Sequence, residues 1–592
     1  MSEIEKSLDG ASAPWLEILD GNAPILLIAP HGGRAGQATR ALLNPKVNDL
    51  HTAAITRELS ALLDAPALIN GAMDRNHLDL NRLSQVSANA PWFLEMILER
   101  LTGIIVRHGH ATILVIHGWN VIQARVDLGL GLRRHGDQLR PPGAARVSAS
   151  DDFIRGALGQ LAAQLDTQGI LASFGLRYPG GGAQNLLQAF TDRHIESAVP
   201  VLRELSAMAA RNQIDAVQLE LSVALRMPGE LRRRCIASIG AIFGGNSHRK
   251  IANGTRSDLT VVRSPAPKRP ATATPGAATA MPTRVGVELF DPSAKIGAMA
   301  SFDLGAGGVG ARIMMLLSRG RVALFTGEGK PRRDGNRLSL GPLALESDRD
   351  GLLVSFRGHA VIVPDATHYL SIERALASGW LDESMEVSIL LEPSAGNASF
   401  DLEQLFEASD DRNRESSIAT FGRLSGSVRI DGATSAIKGV GRSGLSFTGL
   451  GPQRFNSRRM IWACFDDAVA PTAIEMRAVS SDAQEQSSGR ILNGSEWTAC
   501  TVNHVAVDTP SVSSPPTRVS AGFGDDDSRL SLIESVENFI PLSRPGPDGT
   551  RIFTALGFAR FRLGESEGAG MFECSRRAET LPDSTGDDDA ED

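Results

Sequence analysis

Between residues 24 and 243, short unbroken apolar runs alternate with stretches whose apolar positions recur every three or four residues. The runs are PILLIAP (24–30), ATILVIHG (111–118) and AVQLELS (216–222). The periodic stretches include DLHTAAITRELSALLDA (49–65), DFIRGALGQLAAQLD (152–166) and HIESAVPVLRELSAMAARN (194–212). An apolar run without polar alternation belongs to a strand covered on both faces, and amphipathic helices between such strands supply the cover. The pattern predicts an α/β domain over residues 15–244, with a mostly parallel sheet flanked by helices. Past residue 283 the chain switches to short alternating segments such as RVGVELFD (284–291), GLLVSFRGHAVIV (351–363) and MEVSILLEP (385–393), separated by Gly, Asp and Asn turns. That pattern predicts an antiparallel β-barrel region over 284–578. Residues 245–283, rich in Pro, Ala, Thr and basic residues, read as a flexible linker, and 579–592 as an acidic disordered tail.

Composition narrows the function classes. A chain of 592 residues exceeds what one hydrophobic core supports, and 42% apolar residues suit a globular protein. A formal net charge of −8 argues against a nucleic-acid partner, because phosphate binding needs clustered Lys and Arg. Cys235, Cys464, Cys500 and Cys574 form no CxxC pair, which fits a reducing, cytoplasmic setting without a structural thiolate site. The first residues carry no secretory pattern, and no run reaches the roughly 20 apolar residues of a transmembrane segment. Of the 12 His, His31, His51, His77, His108, His110, His117, His135 and His194 lie before residue 200, so metal or acid/base chemistry is expected in the first domain.

Ligands of open α/β sheets bind at the carboxyl ends of the strands. Two such ends carry a His followed by Gly: His31 in LLIAPHGG and His117 in ILVIHGWN. A small residue there allows a sharp turn and leaves room for a substrate; the alternative is a loop imidazole bonded to its own turn. Glu220 alternates with apolar neighbours in VQLELS and so shares a face with Gln218 and Ser222. It suits a proton acceptor, or else an ion pair with Arg226 or Arg82. AMDRNHLDLNRLSQ gathers Arg75, Asn76, Asp79, Asn81 and Arg82, a set able to clamp a carboxylate or to cap the helix that follows.

In order, PHGG, DLHT, DRNHLDLNR, VIHG, YPGGG and QLELS resemble the motifs of the N-formylglutamate amidohydrolase family, relatives of the zinc carboxypeptidases, over about residues 20–230. The resemblance implies one zinc held by two His and an acidic residue, with a glutamate activating a metal-bound water. It makes His31 and His117 metal ligands, Glu220 the general base and Arg75 the residue polarising the scissile carbonyl. Asn81 and Arg82 become the carboxylate clamp, and Tyr178 and Gly181 part of the glycine-rich substrate loop. The implied substrate is a small N-acyl, including N-formyl, amino acid. The chain departs from the pattern after His31, where Gly32, Gly33, Arg34, Ala35 and Gly36 offer no carboxylate. Asp49 is the first choice for the third ligand and His51 the second, although Asp49 also suits an N-cap.

In the β half, DGATSAIKGVGRSGLSFTGLGPQRFNSRRMIWACFDD (431–467) is similar to the AttH and hydroxyneurosporene synthase group, which implies two tandem lipocalin-like domains over about 285–575. Ser443, Gly444, Leu445 and Ser446 stand where that group's enzymes carry a charged and aromatic cluster, which speaks against hydratase chemistry. An eight-stranded barrel can enclose one apolar ligand. The competing overall reading is thus a catalytically inactive protein whose β half binds an apolar or lipid-like molecule.

Overall fold

A computed structural model describes residues 13–35, 46–135, 138–140, 147–244, 282–304, 309–394, 419–447, 456–465, 472–481, 485–494, 496–524, 528–532, 536, 538–545 and 551–577. The acidic tail and all of the linker but its last two residues lie outside these; the first β-rich strand already begins at Pro282. The chain forms two compact units, one on each side of residues 245–281. No helix among the described residues is long and apolar enough to cross a membrane.

The first unit is built on β1 (Leu16–Leu19), β2 (Ile25–Ala29), β3 (Ala67–Asn70), β4 (Ala111–Trp119), β5 (Arg125–Gly129), β8 (Leu171–Ser173) and β9 (Ile214–Ser222), with β6 (Arg133–His135) and β7 (Gln138–Arg140) as a separate ribbon. The sheet order is β1-β3-β2-β4-β9-β5-β8. Its centre is parallel, as expected, but β1 pairs β3 and β5 pairs β9 antiparallel, so the sheet is mixed. The connections explain this. Residues 20–24 link β1 to β2 and residues 120–124 link β4 to β5, each pair having one strand between them. Five residues are too few to carry the chain back along the sheet, so the second strand runs in the opposite sense to the first.

Among the described residues, six longer helices cover the sheet: α1 (Thr52–Leu63), α2 (Leu83–Asn89), α3 (Pro91–His108), α4 (Gly159–Thr167), α5 (Pro200–Ala210) and α6 (Glu230–Phe243). The apolar faces of α2, α3 and α5 join Leu26, Ile28, Ile113, Val115, Ile214 and Ala216 in one core. The alternate strand residues Ile25, Leu27, Leu114, Ile116 and Val217 are buried too. They face the other way, toward the layer in which α6 packs on α1 and α4. Cover on both faces is why the strands read as unbroken apolar runs. The stretch read as helical from His194 becomes regular only at Pro200, whose ring holds Val199 extended and supplies a ready first helical residue.

In the second unit every strand pairing is antiparallel. Eight strands between Pro282 and Phe447 form a closed barrel, the ring completed where Val322–Glu328 pairs with Leu352–Val363. The strands from Ser457 to Arg577 curl into a second, nearly closed barrel. Its interior is filled by Ile461, Phe465, Met476, Phe523, Phe561 and Phe572. The barrels meet through Phe290 stacked on Phe558 at 5.4 Å and through a buried ionic cluster. In that cluster Arg442 bridges Glu288 and Glu475, both at 3.0 Å, and Trp462 donates to Glu288 at 2.7 Å. Arg477 and Arg490 each bring Nε to 2.9 Å from Glu475. No carboxylate constellation stands out in the sequence of this half. The structure forms one beside the Ser443–Ser446 stretch, from residues up to 202 positions apart in the chain, Glu288 to Arg490.

Candidate metal centre and active site

The face of β4 that packs Ala111, Ile113 and Val115 against helices carries His117 next in the same alternation. The face of β9 that packs Ile214 and Ala216 carries Gln218 and Glu220. One face therefore passes from packing to chemistry at the carboxyl ends of the strands. Strand register sets His117 beside Glu220, and Asp127 of β5 beside Glu220 on the other side. His31 stands two residues past the end of β2, and Asp49 just before α1.

His31, Asp49 and His117 are buried, and a ligand atom from each lies within 4.8 Å of the other two. Asp49 Oδ2 is 3.0 Å from His117 Nδ1, 3.3 Å from His31 Nδ1, and accepts the Gly118 N–H at 3.0 Å. The opposite ring nitrogen of His31 meets Asp79 Oδ1 at 2.7 Å. One neutral imidazole can satisfy a carboxylate at only one of its two nitrogens, and a cation on the Nδ1 side would complete the other. A carboxylate behind a ligating His is also how proteins orient such a ring. Two imidazoles and one carboxylate are a donor set that suits zinc with an open position.

Electrostatics fit the same purpose. Burial, partly offset by Asp49, takes the His117 imidazole down to about 4, so it is neutral and free to ligate. Burial alone would raise the Asp49 carboxyl, but hydrogen bonds from His117 and His31 outweigh it and hold the group well below its usual range. Glu220 behaves in the opposite sense. Burial first and the Asp49 charge second push its carboxyl well above the usual value, against a 2.5 Å hydrogen bond from Gln218 Nε2. A buried carboxylate that holds a proton more tightly than usual is suited to accept and return one.

Arg75 adjoins this group, its Nη1 3.4 Å from Asp49 and its Nη2 3.9 Å from Asp79. Asn81 spends its side-chain oxygen on the Leu186 N–H, while its Nδ2 makes no hydrogen bond among the described residues. Arg82 is exposed at the start of α2, free of ion pairs among the described residues. Tyr178 packs edge-on against Trp119 at 5.8 Å, and its main-chain N–H bonds to Asp127. Asp127 also accepts from Leu176, Arg177 and Ser173, so one buried carboxylate holds the loop leading to Gly181. His51 takes no part in the His31–Asp49–His117 group. It caps α1 with a left-handed backbone, and burial together with Arg226, Arg232 and Arg34 takes it down to about 4. Asp49 is not the cap, since its side chain turns away from α1 toward the two imidazoles. Glu220 forms no ion pair with Arg226 or Arg82.

Two features differ from the reading of the sequence. The glycines after each His leave room for the protein rather than for a substrate: a Cβ on Gly33 would lie 1.8 Å from the Met73 carbonyl oxygen, and one on Gly118 2.7 Å from Arg226 Cζ. Asp79 was one polar residue among several in DRNHLDLNR, and nothing in the spacing singled it out as the partner of His31. Its burial beside Lys46, 2.9 Å away, arises only when residues 46 and 79 are brought together.

No family model and no curated protein matches the chain. Among solved structures it is similar to a Nitrosomonas europaea protein assigned as AttH (12% identity, 52% of this chain and 99% of that one, TM-score 0.31) and to kievitone hydratase from Nectria haematococca (9%, 50% and 90%, 0.29). It is also similar to N-formylglutamate amidohydrolase from Ralstonia eutropha (13%, 39% and 95%, 0.27). Both resemblances read from the sequence thus have counterparts among known structures, while identities and TM-scores this low leave the chemistry to be argued from this chain's own side chains.

Proposed function

We propose that the first unit is a zinc-dependent amidohydrolase acting on a small N-acyl amino acid. The observation that carries the reading is the convergence of His31, Asp49 and His117 from three distant segments into one buried donor set. His31, Asp49 and His117 hold the ion, with Asp79 fixing the His31 ring. Zinc supplies Lewis acidity, which lowers the pKa of water toward about 7 and polarises the amide carbonyl. Glu220 takes the proton of the attacking water, aided by the burial that raises its basicity, and returns it to the departing amine. Arg75 donates to the oxygen that becomes negative as the amide is attacked. Asn81 Nδ2 and the Arg82 guanidinium receive the amino-acid carboxylate, and the Tyr178–Gly181 loop borders the acyl side.

The test is a panel of N-formyl, N-acetyl and long-chain N-acyl amino acids offered to the full chain, with and without chelator, beside Glu220→Gln. Amine release that needs metal and fails in the variant is expected. A purified protein that holds no zinc and cleaves none of the panel would refute the reading. Binding of an apolar molecule by the β half is the competing proposal. The packed aromatic interior of the second barrel disfavours that barrel as the place for it.

A further inference from the structure

Arg226 lies outside the motifs that drew attention to the site, yet it occupies the back of it. It ends the short helix Val223–Arg226 and is 1% exposed. Its Nη1 donates to the Leu50 carbonyl at 2.6 Å and its Nε to that of Leu221 at 3.0 Å. Nη2 serves the Trp119 carbonyl at 3.2 Å and Asn120 Oδ1 at 3.1 Å. Among the described residues no carboxylate is bonded to it.

The main-chain acceptors form a pattern. Leu50 follows Asp49, Leu221 follows Glu220, and Trp119 is two residues beyond His117. Gly118 closes the arrangement, because an added Cβ there would lie 2.7 Å from Arg226 Cζ and 2.9 Å from Asp49 Cβ. Burying a guanidinium on neutral acceptors carries a desolvation cost that ordinary packing would avoid. What it gains is geometry: a planar fork with fixed donor directions reaches three chain segments at once, which an ammonium cannot.

We infer that Arg226 is a positioning residue, tying the segments that carry Asp49, His117 and Glu220 at the spacing one cation requires. It touches neither substrate nor metal. The inference rests on the metal-centre reading above, and the probe that tests it is zinc ion alone. The metal-stripped full chain is titrated with Zn²⁺ against a chromogenic chelator for wild type, Arg226→Lys, Arg226→Met and, as a control, His31→Ala. Thermal unfolding of each metal-free protein is followed in parallel.

The expected result is zinc affinity about 10- to 100-fold weaker in both Arg226 variants, the range typical of residues that orient ligands. His31→Ala should lose more. The Lys variant keeps the charge and most of the volume, so it carries the test if the Met variant does not fold. Unchanged zinc affinity in a folded variant, even with a lower melting temperature, would reduce Arg226 to a packing role and overturn the inference while leaving the metal centre standing. A wild type that binds no zinc overturns both.

Discussion

The two units each bury a cluster of charges, and the clusters are built on opposite principles. Between the barrels, Glu475 is surrounded by Arg442, Arg477 and Arg490, and Glu288 by Arg442 and Trp462, so every carboxylate meets donors. Burial would raise the Glu475 carboxyl, but the three guanidiniums outweigh it and bring it to about 2. In the α/β unit, Glu220 has only an amide partner and lies near Asp49, and burial leaves it reluctant to ionise. His117 Nε2 is buried without a hydrogen-bond partner among the described residues. A satisfied cluster holds elements together; an unsatisfied one stores a mismatch that a cation, a water or a substrate can resolve.

This contrast can be broken experimentally. Glu220→Gln should lower turnover of a competent N-acyl substrate by about 10³-fold while raising the stability of the metal-free protein by about 1 kcal/mol, because a reluctant buried acid is removed. A variant that loses stability together with activity would place Glu220 in the structural class instead. Glu475→Gln should do the reverse, destabilising the second unit by about 3–5 kcal/mol in denaturant unfolding with hydrolysis unchanged.

Acid should report the same difference. The folded Glu475 carboxyl sits at about 2 against the usual 4.5, so the unfolded chain takes up its proton first as pH falls. The stability this group contributes is complete above about pH 4.5. About 3 kcal/mol of it is lost between there and pH 2. Unfolding followed across that window should show a slope that Glu475→Gln flattens, and an identical slope in the variant would mean the arginines do not hold the charge. Asp79→Asn should weaken zinc binding about 10- to 100-fold, measured by chelator competition, with little change in fold. The smallest effect is expected from Arg82→Ala, a roughly tenfold rise in KM at constant kcat, the loss of about 1.4 kcal/mol of binding. A fall in kcat there would point to a role in the chemistry rather than in the clamp.

Much of the framework was legible because periodicity reports burial directly. The runs at 25–29, 111–119 and 214–222 read as strands since helices cover both faces, and the alternating segments beyond 283 read as barrel strands since only one face meets a core. His31, His117 and Glu220 could be picked out because each follows an apolar run at a strand's carboxyl end. Asp79, Asp127 and Arg226 could not. Each is one polar residue among several in its segment, and what sets it apart is a partner dozens of positions away. The ring of arginines around Glu475 escaped for the same reason, its members being spread over three strands.

The sequence by itself determined which segments become strands and helices, where the architecture changes from α/β to antiparallel β, and which imidazoles and carboxylate stand at strand ends, because these follow from local periodicity and turn chemistry. Tertiary structure alone decided that Asp49 rather than His51 faces the two imidazoles, that Asp79 backs His31, and that the glycines after each His admit protein atoms. Those outcomes depend on contacts of 2.7–3.3 Å between residues far apart in the chain, and on close approaches at the glycines, which only the packed fold fixes.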